Sequence, residues 1–194
     1  MIFIQKIILS LISFSILICI FFIPSISAVD SQQTSEKSEL LFYSNQNYAW
    51  PIPGYTRISS YFGKRVAPTS GASTYHKGID IPAPEGTNLI ATCDGQITFT
   101  GFLGGGGYTI TLTNSAGLKI SYCHVSPNYI VSEGDNIIQG QIIGKVGPKY
   151  VYGVPGNTYK DSSGRPTNGA TTGCHLHLGF RLDSKYVNPL SYLQ

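Results

Sequence analysis

Charge is scarce in this chain. Only 12% of its 194 residues are Asp, Glu, Lys or Arg, and the formal net charge is +3. No Lys/Arg cluster is present, so the basic patch expected of a nucleic-acid binder is missing. The mild positive balance is compatible with an acidic polymer but does not point to one. There is no internal repeat, no C-x-x-C pair to support a zinc knuckle, and no H-E-x-x-H run. The Gly104–Gly107 run lacks the G-x-x-x-x-G-K-[ST] context of a phosphate cradle and reads as a loop tip. Histidine is rare as well, with only four in the chain.

What is abundant is turn and strand material: 22 Gly, 11 Pro and 13 Tyr. That profile excludes a helical bundle and predicts a mainly β globule, with room for one domain of ordinary size. At the N-terminus, Lys6 precedes an apolar stretch from Ile7 to Ile23, followed by Pro24-Ser25-Ile26-Ser27-Ala28. This predicts a signal peptide over 1–28 with cleavage near Ala28, the alternative being an uncleaved membrane anchor. Either way the remainder is expected outside the cytoplasm, secreted or associated with the envelope. Residues 29–48 are polar and aperiodic and read as a linker; the domain is expected over 49–194.

Cys19 falls in the targeting segment, leaving Cys93, Cys123 and Cys174, an odd number in a compartment that permits disulfides. Cys123 and Cys174 directly precede His124 and His175. Neighbours on a strand point to opposite faces, so histidines facing a site would turn both cysteines away from it. A Cys123–Cys174 bridge behind the site and three buried thiols are both open readings.

Gly95–Phe102 reads as a strand, and Tyr108–Thr113 alternates apolar residues with threonine as a half-buried strand should. A turn at Asn114–Gly117 leads to a second alternating run, Leu118–His124, and the two predict a hairpin. In that phase His124 joins Leu118, Ile120 and Tyr122 on the packed face. Glu133–Asp135 and Gln139–Gln141 read as turns flanking short β segments. Lys149–Thr172 is a long loop without a period, either a functional wall or a disordered insertion. It runs into a strand at Cys174–Phe180.

The four histidines carry the chemistry. His76 and Asp80 form H-x-x-x-D, His175 and His177 form H-x-H, and His124 stands between. Pro82 and Pro84 exclude a helical pairing of His76 with Asp80, so that segment reads as a loop entering a strand. Residues two apart on a strand project from one face about 6.5–7 Å apart, which suits one metal ligand and one close neighbour. Three N or O ligands with a fourth position left to water is the pattern of catalytic zinc.

The segments Phe62-Gly63-Lys64-Arg65, His76-Lys77-Gly78-Ile79-Asp80-Ile81, Glu85-Gly86-Thr87, Tyr122-Cys123-His124-Val125-Ser126 and Gly173-Cys174-His175-Leu176-His177, in this order between Trp50 and Pro189, resemble the lysostaphin-type (LytM-like) zinc metalloendopeptidases. The resemblance implies a twisted antiparallel β-sheet with a loop-walled groove, of the duplicated-hybrid-motif type. It implies one zinc ion held by His76, Asp80 and His177. His124 and His175 would be the catalytic histidines that position or deprotonate water and stabilise the intermediate. The implied substrate is a peptide bond of peptidoglycan, and the implied state is a monomer that meets a membrane only through an uncleaved N-terminal segment. Tyr75 or Tyr122 is a candidate for assisting the oxyanion, and Arg65 is expected to brace the loop near the site. The cysteines before two of the histidines and the long loop before H-x-H depart from the usual pattern.

Three rival readings remain. One is a catalytically silent member of the fold that regulates wall enzymes; intact ligands and both auxiliary histidines weigh against it. A peptidase of D-Ala-D-Ala termini would separate His from Asp more widely and supply a glutamate base. A structural zinc site would not need His124 and His175 beyond a full ligand set.

Overall fold

The computed structural model describes residues 48–193. The expected signal segment, and all of the expected linker except Tyr48, lie outside the described residues. Among the described residues no helix is long and apolar enough to cross a membrane.

The architecture is the expected antiparallel β-sheet. Strands β5 (Gly95–Phe102), β6 (Tyr108–Thr113), β7 (Lys119–Cys123), β10 (His175–Leu182) and β11 (Lys185–Val187) lie side by side, with β8 (Asn136–Ile137) beyond β5. β3 (Ile79–Pro82) joins the N-terminal half of β10, while β11 takes the C-terminal half of the same edge. Two small ribbons flank this sheet. One pairs β1 (Gly63–Lys64) with β2 (Tyr75–His76), the other β4 (Asn88–Ile90) with β9 (Ile142–Lys145).

Alternation along the strands decides which face is core. Ile110, Tyr122, Leu178 and Ile79 are successive cross-strand partners, and Leu112, Ile120 and Phe180 form the next rung but one. All are at most 1% exposed, and complete burial of such side chains stabilises by about 1.5–3 kcal/mol each. The Tyr122 hydroxyl is not orphaned in this core: it accepts from the Thr92 N–H at 2.8 Å and donates to Thr92 Oγ1 at 3.2 Å. Tyr122 is therefore a packing residue on the face away from the histidines, which corrects the expectation that it assists an oxyanion.

The opposite face carries the rung that borders Ile110 and Tyr122 on the side away from Leu112: Thr109 opposite Cys123, Cys123 opposite His177, His177 opposite Asp80, and Asp80 bridged to Ser60. Side chains on one rung project to one face. This overturns the expected orientation of Cys123, which shares its face with His177. It also overturns the placing of His124 on the packed face. The hairpin ends at Cys123, and His124 leaves the strand with φ 59°, a left-handed conformation uncommon for non-glycine residues. Cys93, Cys123 and Cys174 are free thiols, so no bridge lies behind the site. Burial pushes the thiols of Cys93 and Cys123 up to about 11.

Candidate active site

Asp80 and His177 meet because they are cross-strand partners. His76 reaches them from β2, and Gly78 allows the close approach. A Cβ at Gly78 would stand 2.2 Å from the Leu178 carbonyl oxygen, so only glycine lets the H-x-x-x-D segment lie directly on β10. The outcome is a tight triangle. His76 Nε2 stands 2.9 Å from His177 Nδ1 and 3.1 Å from Asp80 Oδ1, and His177 Nδ1 stands 2.9 Å from Asp80 Oδ1.

These atoms suit a divalent cation. Ligands at about 2.0–2.2 Å in tetrahedral directions lie about 3.3–3.6 Å from one another, slightly wider than the triangle here. His76 Nδ1 lies 2.9 Å from the Tyr61 carbonyl oxygen, which only accepts, so Nδ1 carries the proton and Nε2 presents a lone pair. Three lone-pair-bearing atoms thus converge on one point with at most one proton among them. The nitrogen and carboxylate oxygen set is one that zinc takes.

A surrounding layer fixes these groups. Asp80 Oδ2 accepts from Arg65 Nη1 at 3.1 Å, and the same nitrogen donates to Ser60 Oγ at 2.6 Å. Ser60 Oγ lies 3.2 Å from His76 Nδ1. Burial opposes the Asp80 charge, but the hydrogen bond from His177 and the neighbouring imidazoles outweigh it. The carboxyl is held well below its usual range. Arg65 therefore orients a site carboxylate as well as bracing its loop.

His124 and His175 stand beside the triangle. Their ring centroids are 4.7 Å apart, and His124 is 6.3 Å from His177. His124 donates from Nδ1 to the Asn168 carbonyl at 2.6 Å, and His175 donates from Nδ1 to the Gly173 carbonyl at 2.9 Å. Each Nε2 is left as the free lone pair; that of His175 lies 3.6 Å from Asp80 Oδ1. Burial, reinforced by His175 and His177, holds His124 well below its ordinary value, so it is a neutral proton acceptor at pH 7.

The long segment 149–172 is an ordered wall and not a disordered insertion. Tyr150 bridges Thr167 and Lys160 bridges Pro166, and Thr167, Asn168 and Thr171 are buried. Asn168 and Thr171, which no sequence motif marked, hold the two auxiliary histidines; Thr171 Oγ1 is 3.3 Å from His175 Nδ1. The groove of about 800 Å³ above the site is lined on other sides by Tyr75, Leu103, Gly105, Cys123 and Cys174. Tyr75 is 45% exposed and packs edge-on against Phe62 at 5.5 Å.

A mostly antiparallel sheet carrying a His-Asp-His triangle at one end of its central strands is the arrangement of a metallopeptidase. Residues 74–189 match the family described as Peptidase family M23, and the chain belongs to it. It is 37% identical over 71% of its length to the DD-carboxypeptidase/endopeptidase Mpg of Neisseria meningitidis serogroup B, where the match covers 27% of that protein. It is 30% identical over 75% of its length to the murein hydrolase activator NlpD of Escherichia coli, covering 31% of that protein. The match thus spans about a quarter to a third of these relatives. Among solved structures, the catalytic domain of the antimicrobial peptidase lysostaphin from Staphylococcus simulans superposes with a TM-score of 0.56 at 26% identity. That match covers 71% of this chain and 91% of that domain.

Proposed function

We propose that the chain is a zinc-dependent endopeptidase that hydrolyses peptide bonds of bacterial peptidoglycan, in a cross-bridge or stem peptide, outside the cytoplasm. The observation that carries this reading is the convergence of His76, Asp80 and His177, whose ligand atoms lie within 4.8 Å of one another, beside two further histidines with free Nε2 atoms. The names of the Neisseria relative and of lysostaphin support a peptidase, and that of the murein hydrolase activator NlpD supports the cell wall as its setting. The apolar run from Ile7 to Ile23 supports export.

In this reading His76, Asp80 and His177 hold one zinc ion, which supplies a water of lowered pKa and polarises the scissile carbonyl. His124 and His175 perform the proton transfers. With Nδ1–H fixed on a backbone carbonyl, each presents Nε2 to the groove, one to take the proton from the attacking water, either to return it to the leaving amine. The imidazolium formed on protonation would hydrogen-bond the developing oxyanion, a charge otherwise costly in a partly desolvated groove. The protein works as a monomer.

The resemblance to NlpD favours a second reading, a catalytically silent activator of other wall enzymes. The test is incubation of the purified protein with defined muropeptides, with and without a chelator, followed by mass spectrometry. Cross-link or stem cleavage that stops on chelation is the expected result. Release of a single terminal D-alanine with cross-links untouched would overturn the endopeptidase reading. An unchanged muropeptide profile would favour the activator.

A further inference from the structure

The groove's charged lining, among the described residues, consists of Arg65, Lys77 and Asp80. Two of these are committed to each other: the Arg65 guanidinium lies on Asp80 Oδ2 and Ser60 Oγ. Lys77 forms no ion pair with any described residue. Its ammonium instead sits 4.9 Å from the centroid of the Tyr186 ring, and Tyr186 lines the same groove from β11.

The placement of Lys77 is set by the backbone. It follows His76 directly and precedes Gly78, which is pressed against the Leu178 carbonyl. The root of the side chain is therefore as fixed as the H-x-x-x-D segment itself. The ring of Tyr186, set by the pairing of Arg181 with Tyr186, gives the flexible stem a resting place. A cation is attracted to the electron-rich face of an aromatic ring, which restrains the ammonium while leaving its outward N–H groups free. An unspent, restrained cation on the wall of a peptide-binding groove calls for an anion on the peptide.

We propose that Lys77, laid over Tyr186, is a carboxylate-binding subsite that selects peptides carrying a free carboxylate near the scissile bond. This inference rests on the peptidase reading for its substrate class and adds a chemical requirement to it. The carboxylate has two possible sources, the C-terminus of the stem peptide or an internal carboxyl left free by a γ-linkage or a diamino acid. Both offer the same oxygen pair to the ammonium. Lysine suits this task as a compact point charge with rotatable donors, since no bidentate geometry is required.

The test compares three muropeptides that are identical except for amidation: both carboxyls free, the C-terminus amidated, or the internal carboxyl amidated. Each is assayed with the wild-type protein and with Lys77→Met and Lys77→Arg. For the wild type, amidating the recognised carboxyl is expected to lower kcat/KM about tenfold, the size of one charge-assisted hydrogen bond. Which amide shows the loss identifies the source. Lys77→Met is expected to bring the acid-to-amide ratio close to one, and Lys77→Arg to retain most of it. Equal hydrolysis of all three by the wild type, or an undiminished ratio in Lys77→Met, overturns the proposal. If the wild type cleaves none of them, the endopeptidase reading fails and binding of the same peptides by calorimetry decides this one. Tighter binding of the acid that disappears in Lys77→Met supports the subsite, and indifference to amidation sinks it.

Discussion

Asn168 accepts the Nδ1 proton of His124 on its main-chain oxygen at 2.6 Å, and its side chain ties the start of β6 to the residue that follows that histidine. Asn168 Oδ1 accepts from the Tyr108 N–H at 2.8 Å, and Nδ2 donates to the Val125 carbonyl at 3.0 Å. The residue is fully buried. Replacing it with Ala leaves a buried donor and a buried acceptor unsatisfied. Asn168→Ala is expected to destabilise by about 2–4 kcal/mol in denaturant unfolding. At a temperature where the variant is folded, hydrolysis should fall about ten- to a hundredfold because His124 is misplaced. Bound zinc should stay near one per chain; loss of the metal would show that Asn168 acts on the whole site.

His175 and His177 are two residues apart and differ in role. His177→Ala should leave the protein with far less than one zinc after dialysis. His175→Ala should keep its zinc and lose hydrolysis by about 10²–10⁴-fold, the span of a positioned acid–base group. Metal analysis of the two variants side by side checks this. Equal loss of zinc in both would assign His175 to the metal.

Arg65 holds the oxygen of Asp80 that does not face the histidines. Arg65→Met is expected to weaken zinc binding about 10–100-fold, as removal of a ligand's outer partner does. Competition against a chelator of known affinity measures it. An unaltered affinity would return Arg65 to a bracing role only.

Gly147 lies behind His124. A Cβ there would stand 2.2 Å from the Val125 carbonyl oxygen and 2.7 Å from that of His124, and Gly147 also donates its N–H to the His124 carbonyl. Gly147→Ala is expected to cost about 2–4 kcal/mol, because backbone and not a flexible side chain must yield. Chemical denaturation gives the value. A cost below about 1 kcal/mol would mean that the left-handed turn at His124 is softer than its contacts imply.

Much of this was legible in the residues. The Thr109–Thr113 alternation gave the hairpin, and motif order gave the fold and the five site residues that the structure brings together. The misplaced orientations of Cys123 and His124 share one cause. Period-two reasoning is sound only while the strand lasts, and it stops at Cys123. Extending it by one residue placed His124 in the core and turned Cys123 away from the groove. The pairing of Cys123 with His177 needed the register between two strands, which a single sequence does not encode. Asn168 was invisible for another reason. Its decisive acceptor is a main-chain oxygen, which every residue possesses, and only its total burial in a polar-looking segment marks it.

The rung that joins Thr109, Cys123, His177, Asp80 and Ser60 draws on chain segments more than a hundred residues apart. Contacts of such sequence separation form late and slowly. The cation cage therefore cannot be assembled piecemeal as the polypeptide emerges, because its third ligand arrives with the last long strand. On the peptidase reading, no competent site exists until nearly all of the domain has been synthesised and folded.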